Sequence, residues 1–399
     1  MTKKNEEKLY RGYTVRLLPT PEQEERMRKH IDNCRFIWNY MLEVQTNRYN
    51  INKKRYMSKY EMCAEITYMK KHEEYSFLKE TPLHSMQQVC GDLDEAFQMF
   101  FKKLHNYPNF KRKKDTKMSY PLDPDGMSTY FKNESVVHIQ RVGDVKCKTD
   151  RKIPTGRGSK ICDPQIHYEK SSGKWLLTFV LPKDKKDVEL TGNVMGIDLG
   201  IENLAIVSFG EEKIVFPNIN KSKSMKKLDK KQKHIKRVID RKYRTYNGYG
   251  TPNKGQSWEK SKNIEKYEQI LREIDRKRSN IRHDYIHKIT RQLVDMKPKR
   301  VVMESIVVSE VVKNKPFAKD ILEANWFYFI NTMKYKCEEY GIEFVQADRW
   351  FPSSKLCSNC GYKNKDLKLS DRNWTCPVCN TKHNRDYNAA INLMNYTGK

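Results

Sequence analysis

The sequence predicts a multidomain chain with α/β and α+β parts: a domain built on a mixed sheet, preceded by a β-rich module that helices interrupt. Three observations lead there. From Val194 onward, apolar segments run strand, strand, strand, long helix, strand, helix, strand. The residues before 191 run instead as one strand, a helical stretch and a return to short strands. The chain has 399 residues, of which 37% are hydrophobic, enough to build real cores in two or three domains.

Leu9-Tyr-Arg-Gly-Tyr-Thr-Val-Arg-Leu-Leu18 alternates as a strand does. Thr20-Pro21-Glu22-Gln23 then supplies a capping hydroxyl, a proline at the first helical position and a glutamine three residues on. Met27, Ile31, Cys34, Trp38 and Met41 follow on one helix face. A second helix runs from about His84, with Met86, Val89, Leu93, Phe97 and Phe100 in register, and ends near Tyr107-Pro108 before the basic run at 111–114. From about 120 to 190 short strands alternate with Gly, Pro and Asp turns, clearest at Val136–Ile139 and Trp175–Leu181.

In the second half the expected strands are Val194–Gly200, Leu204–Phe209, Lys213–Phe216, Arg300–Glu304 and Glu343–Ala347. Tight polar turns join the first three as an antiparallel meander, whereas the later two alternate with helices and so pair in parallel through crossovers. An RNase H-like domain begins in this way. Between the two groups, residues 221–244 carry twelve Lys and Arg against two Asp. Ile264, Tyr267, Leu271, Ile274, Ile281, Tyr285 and Leu293 then form an apolar stripe that reads as packing. The basic face is less easily explained, because a helix face that is merely solvated balances its signs.

Lys and Arg number 78 against 50 Asp and Glu, a formal charge of +28 that opposes compaction unless a polyanion neutralises it. Nucleic acid is the usual polyanion. No apolar run reaches the roughly 18 residues of a membrane span, and the polar stretch Met1–Lys8 has neither a secretory nor a transit pattern. A soluble, cytoplasmic protein without a membrane partner is therefore expected. Of ten cysteines, Cys34, Cys63, Cys90, Cys147, Cys162 and Cys337 are scattered singly and read as small apolar core residues.

Three acids stand out by position. Asp198 lies in Met-Gly-Ile-Asp-Leu-Gly, in the middle of an apolar strand, where an unpaired carboxylate is costly unless a cation or donors meet it. Glu304 ends Val301-Val-Met-Glu. Asp386, in His383-Asn-Arg-Asp-Tyr-Asn-Ala-Ala, opens a short helix whose N-terminus favours an anion. Hard oxygen ligands from two strands and a helix start suit Mg²⁺ or Mn²⁺ and the hydrolysis of a phosphodiester. The competing reading is three unrelated carboxylates, each paired or capping. The first motif also resembles a phosphate loop of actin-like ATPases and sugar kinases, but the second loop and adenosine site that those need do not follow.

Cys357-x-x-Cys360 and Cys376-x-x-Cys379 are separated by fifteen residues. Each pair offers two thiolates from one knuckle, and four cysteines complete a closed S₄ site for a structural Zn²⁺. Trp374 between them could pack on the knuckle or meet nucleic acid. The histidines show no ligand spacing, and no Walker loop or Ser or Cys nucleophile is recognisable.

The order Asp198, Glu304, ribbon, Asp386 resembles the TnpB (OrfB) family of bacterial insertion sequences, nucleases similar to the miniature type V CRISPR effectors. The matching stretches are Arg16-Leu-Leu-Pro-Thr-Pro-Glu-Gln23, Cys34-Arg-Phe-Ile-Trp-Asn39, Tyr107-Pro-Asn-Phe-Lys-Arg112, Met195-Gly-Ile-Asp-Leu-Gly-Ile-Glu-Asn203 and Arg282-His-Asp-Tyr-Ile-His-Lys288. Val301-Val-Met-Glu-Ser305, the run from Arg349 to Gly361 and Asn384-Arg-Asp-Tyr-Asn-Ala-Ala390 complete them. Ser305 departs from the family pattern, which usually has another acid there.

The resemblance implies a RuvC-like nuclease domain (191–350 and 383–399) with Asp198, Glu304 and Asp386 as catalytic metal ligands and an inserted zinc ribbon (351–382). It implies a β-barrel-like wedge domain (1–19 and 116–190) split around a helical recognition domain (20–115). It further implies a monomer on a guide RNA from the transposon end, cutting double-stranded DNA beside a short flanking motif and associating with the nucleoid when bound. The alternatives within the same frame are a non-cleaving RNA-guided repressor and a compact CRISPR effector.

Overall fold

The computed structural model describes residues 8–52, 56–113, 118–248, 258–306, 318–368 and 370–398. It divides into two compact units, Tyr10–Lys183 and, with the N-terminal end of the chain, Asp184–Lys399.

In the first unit, β1 (Leu9–Leu18) leads directly into α1 (Pro21–Asn52). Thr20 and Gln23 cap the helix reciprocally: the Thr20 N–H donates to Gln23 Oε1 (3.0 Å) and the Gln23 N–H to Thr20 Oγ1 (3.3 Å). Met27, Ile31, Cys34, Trp38 and Met41 are all buried, as their spacing requires. The sequence reading did not separate α2 (Lys59–Met69), which opens with a Ser58–Glu61 capping box, or the 3₁₀ turn at Glu73–Glu80. α3 covers Leu83–Phe101. Six further strands follow: β2 (Ser119–Pro121), β3 (Thr129–Asn133), β4 (Val136–Ile139), β5 (Gly143–Lys148), β6 (Cys162–Glu169) and β7 (Lys174–Lys183). With β1 they form one sheet in the order β2-β6-β7-β1-β5-β4-β3, so β1 returns to the middle of strands that come a hundred residues later in sequence. The helices are thus an insertion between β1 and β2. Of the basic run at 111–114, Lys114 lies outside the described residues. The Lys111 ammonium sits 3.5 Å from the centre of the Trp38 ring, and burial lowers its pKa.

The second unit is organised around a five-stranded mixed sheet in the order β10-β9-β8-β11-β12. β8 (Val194–Leu199), β9 (Asn203–Phe209) and β10 (Glu212–Pro217) form the antiparallel meander. β11 (Arg300–Met303) pairs in parallel with both β8 and β12 (Glu343–Gln346). α4 (Lys223–Asn247) and α5 (Lys262–Asp295) connect the meander to β11, and α6 (Ala318–Ala324) and α7 (Trp326–Tyr340) connect β11 to β12. The short β13 (Asn373–Thr375) and β14 (Lys382–Asn384) pair with each other before α8 (Arg385–Met394).

Charged groups also position these helices. Arg278 of α5, only 5% exposed, reaches Glu323 of α6 at 2.9 Å and Gln232 of α4 at 2.7 Å. Within the stretch Arg282–Lys288, Arg282 donates to Asn220 Oδ1 (2.8 Å), while His283 stacks on Tyr328 of α7 at 4.0 Å. Those residues dock helices. None of the ten cysteines is in a disulfide; Cys34, Cys90, Cys147 and Cys337 are buried, and Cys63 and Cys162 half-buried. Among the described residues no helix is long and apolar enough to cross a membrane.

Candidate active site

Two sequence expectations are corrected by a residue or two. Asp198 is the penultimate residue of β8, not its centre, and Glu304 lies one residue past the end of β11. Both changes move the carboxylates to the same C-terminal edge of the sheet. The parallel register pairs Ile197 with Met303, so Asp198 and Glu304 are the next residues on neighbouring strands.

α8 brings in the third acid. A side chain at Gly196 would put its Cβ 2.1 Å from the Ala390 carbonyl oxygen and 2.3 Å from the Met394 nitrogen. Only glycine lets the helix backbone lie against the strand there. Gly196 and Asp198 are two residues apart and share that face of the sheet. Asp386 precedes Ala390 by about one helical turn. On the neighbouring strand Val302 packs with Leu393 of α8, and Glu304 continues the same face. Asn384 caps α8 by accepting from the Tyr387 N–H (3.1 Å), which leaves Asp386 in the first turn, where the helix dipole favours an anion.

The electrostatics follow from this placement. Asp198 is 8% exposed, and among the described residues no donor bonds its carboxylate. Burial, then the Glu304 carboxylate, then that of Asp386 push its carboxyl well above the usual range; Arg385 and Arg372 oppose the shift. Burial likewise raises Glu304 against the pull of Arg385. Arg372 Nη1 lies 3.4 Å from Asp386 Oδ1. Neither arginine carries a signal of its own in the sequence, although Arg385 adjoins Asp386. A buried acid whose charge two neighbouring carboxylates disfavour, with hard oxygen donors on one face, fits a divalent cation.

The cysteines form a tighter group. Among the described residues, Cys357, Cys360, Cys376 and Cys379 are the one set of three or more His, Cys, Asp or Glu whose ligand atoms all lie within 4.8 Å of each other. The Cys357–Cys379 and Cys360–Cys376 sulfurs are 3.6 Å apart. Zn–S bonds of about 2.3 Å in a tetrahedron need edges of about 3.8 Å, so the site fits zinc. His383, which the sequence reading dismissed as a ligand, puts Nε2 3.0 Å from Cys357 Sγ, where it can donate to a thiolate. Trp374 is buried against the His383 ring at 4.7 Å, so it packs on the knuckle.

α8 joins the two places. Asn388 donates to the Leu356 carbonyl (2.6 Å) and accepts from the Ser358 N–H (3.0 Å). Asn392, one turn on, donates to the carbonyls of Ser353 (2.7 Å) and Leu356 (2.8 Å). The helix that carries Asp386 therefore also holds the first knuckle.

Comparison with known proteins agrees with this architecture. Residues 178–315 match the family described as "Probable transposase", of OrfB IS605 type, and residues 9–54 match the helix-turn-helix domain of the same family. Residues 326–393, which include the ribbon and most of α8, match the "Cas12f1-like, TNB domain". The chain carries OrfB-family domains. Its matched N-terminal stretch, as far as Asn52, is one strand and one continuous helix rather than two helices about a turn. A relative from Streptomyces pristinaespiralis, named "Putative RNA-guided DNA endonuclease", is 29% identical over 384 residues, 96% of this chain and 88% of the relative. InsQ of Escherichia coli K12, named in the same way, is 26% identical over 97% of this chain and 92% of its own length. The fold also matches the protein of a Cas12f1–sgRNA–target DNA complex, with a TM-score of 0.64 at 14% identity, over 98% of this chain and 100% of that one.

Proposed function

We propose that the chain is an RNA-guided DNA endonuclease of an insertion sequence, cutting double-stranded DNA at a single site formed by Asp198, Glu304 and Asp386. The observation that carries this reading is the convergence of the three carboxylates on one face of the sheet edge, with Asp198 buried and unmet by any described donor. Relatives named as RNA-guided endonucleases along nearly the whole chain supply the guide and the target.

In this reading the mixed sheet is an RNase H-like (RuvC) nuclease domain over 191–350 and 383–399, and 351–382 is a ribbon on structural zinc. The strands of 1–19 and 116–190 are a wedge around a recognition domain, 20–115. Asp198, Glu304 and Asp386 hold Mg²⁺ or Mn²⁺. Such ions supply an activated water and charge stabilisation for in-line displacement at phosphorus. Asp198 and Glu304 fix the site from adjacent strands, and Asp386 closes it from the helix. Arg372 and Arg385 favour the approach of a phosphate; both oppose the upward shift of Asp198, and Arg385 opposes that of Glu304. Hydrolysis adds the water oxygen to phosphorus as one P–O ester bond breaks, and the leaving oxygen takes up a proton. Base pairing to the guide chooses the sequence, and a charge of +28 suits a protein that holds two polyanions, as a monomer on its RNA, at the nucleoid.

The test is to co-express the chain with its flanking genomic DNA, sequence the RNA that co-purifies, and assay cleavage of a matching plasmid. We expect a single abundant RNA, and Asp198→Ala should lower cleavage by on the order of 10³-fold or more while RNA and DNA binding persist. An Asp198→Ala protein that cuts at the wild-type rate refutes the site. RNA and target binding by the wild type without cutting would make it a repressor.

A further inference from the structure

The segment after β12 starts at the carboxylate edge and carries a highly exposed aromatic. The Ala347 N–H still donates to the Met303 carbonyl (2.8 Å), so Ala347 stands level with Glu304 one strand away. Asp348-Arg-Trp-Phe351 follows at once. Its turn is held from both sides. Asp348 Oδ1 accepts from the Trp350 N–H (2.7 Å), the Asp348 N–H donates to the Tyr396 hydroxyl (3.0 Å), and the Phe351 N–H returns to the Asp348 carbonyl (3.0 Å). Phe351 turns inward, its ring edge-on to Tyr396 at 4.8 Å and packed with Val302, Ala347 and Leu393. Trp350 does the opposite: it is 80% exposed, with the Arg349 guanidinium 5.1 Å from its ring.

Leaving the largest side chain in water on a pinned turn forgoes burial that the neighbouring Phe351 obtains. The surroundings indicate what would cover it. A cation lies at the ring, Arg372 and Arg385 stand by the acids on the same sheet edge, and the chain carries +28. Those charges suit a polyanion that is flat where it meets the indole. A duplex keeps its base faces stacked inside, whereas an unpaired strand offers them, and such strands are bound by basic grooves with aromatic platforms. We propose that Trp350 is a stacking platform for one base of a single DNA strand at the Asp198–Glu304–Asp386 edge. This role rests on the nuclease reading above.

The test uses the full chain with its co-purified RNA, the single-stranded probe dT20, and the variants Trp350→Ala and Trp350→Phe. In the wild type, dT20 should quench part of the tryptophan emission, and Trp350→Ala should remove that part. For cleavage of the matching target, Trp350→Ala should raise KM about tenfold with a smaller change in kcat, and Trp350→Phe should restore most of the loss. A residue that only supports the fold would show neither the quench nor the rescue. An unchanged KM and an unchanged quench in Trp350→Ala overturn the platform. Should Trp350→Ala not fold, a Trp350→Phe variant that keeps both the full wild-type quench and its KM overturns it equally. The two readings separate cleanly. A wild type that fails to cut but loses its quench on Trp350→Ala sinks the nuclease and leaves the platform. A wild type that cuts, beside a Trp350→Ala variant with the same KM and the same quench, does the reverse.

Discussion

At the ribbon, four sulfurs from two knuckles lie within 4.8 Å of one another and leave no open position. At the sheet edge, three carboxylates from β8, the end of β11 and α8 share one face without closing to that spacing. The four cysteines make a closed set suited to zinc, and a metal bound there would supply folding energy to a segment with a small core of its own. The edge keeps its three acids further apart than the four sulfurs. The folding energy also differs in sign: a cation at the four cysteines would organise the chain, whereas Asp198 is held by the fold in a place that disfavours its charge.

Metal removal should separate the two places most sharply. Stripping loosely held divalent ions with mild EDTA should abolish cleavage and leave the circular dichroism and the zinc content unchanged. Cys376→Ser should instead lose zinc, measured by elemental analysis, and lower soluble yield, since one missing ligand opens the tetrahedron. A Cys376→Ser protein that is folded, free of zinc and fully active would show that the ribbon does not need its metal.

Gly196→Ala should act first on the edge. The added Cβ meets backbone atoms of Ala390 and Met394, which no side-chain rotation can relieve. We expect a loss of about 3 kcal/mol in denaturant unfolding, at the upper end of ordinary overpacking, and a disproportionate loss of cleavage because α8 carries Asp386. Wild-type stability and activity together would mean that the helix does not lie so close to β8.

Much of this arrangement was legible in the residues, and what was not has a physical reason. The meander, the parallel strands and the cysteine pairs are local patterns, so period and spacing give them directly. Asp198 stood out because an acid among Met195, Ile197 and Leu199 is out of place. The crossing of α8 over Gly196 was not legible, since it depends on two segments nearly two hundred residues apart. Arg372 and Arg385 were lost for the same reason: a cation in a basic chain carries no mark until its partner is known. His383 has no ligand spacing, and only the folded knuckle sets its ring beside Cys357. The exposed ring of Trp350 looks, in sequence, like the half-buried one of Phe351.

The smallest expected effect probes the link between the two places. Asn392→Ala removes two hydrogen bonds, to the carbonyls of Ser353 and Leu356, without touching a cysteine or a carboxylate. Leu356 keeps its bond from Asn388, but Ser353 is buried and its carbonyl loses the amide that meets it. The cost should be about 1–2 kcal/mol, read as a lower denaturation midpoint with zinc still bound. If the ribbon helps to set α8, and with it Asp386, the cleavage rate should fall several-fold beyond what the unfolded fraction explains. If the rate follows the folded fraction alone, the two places share a helix but work independently, and the ribbon's contribution to the edge is limited to keeping the chain folded.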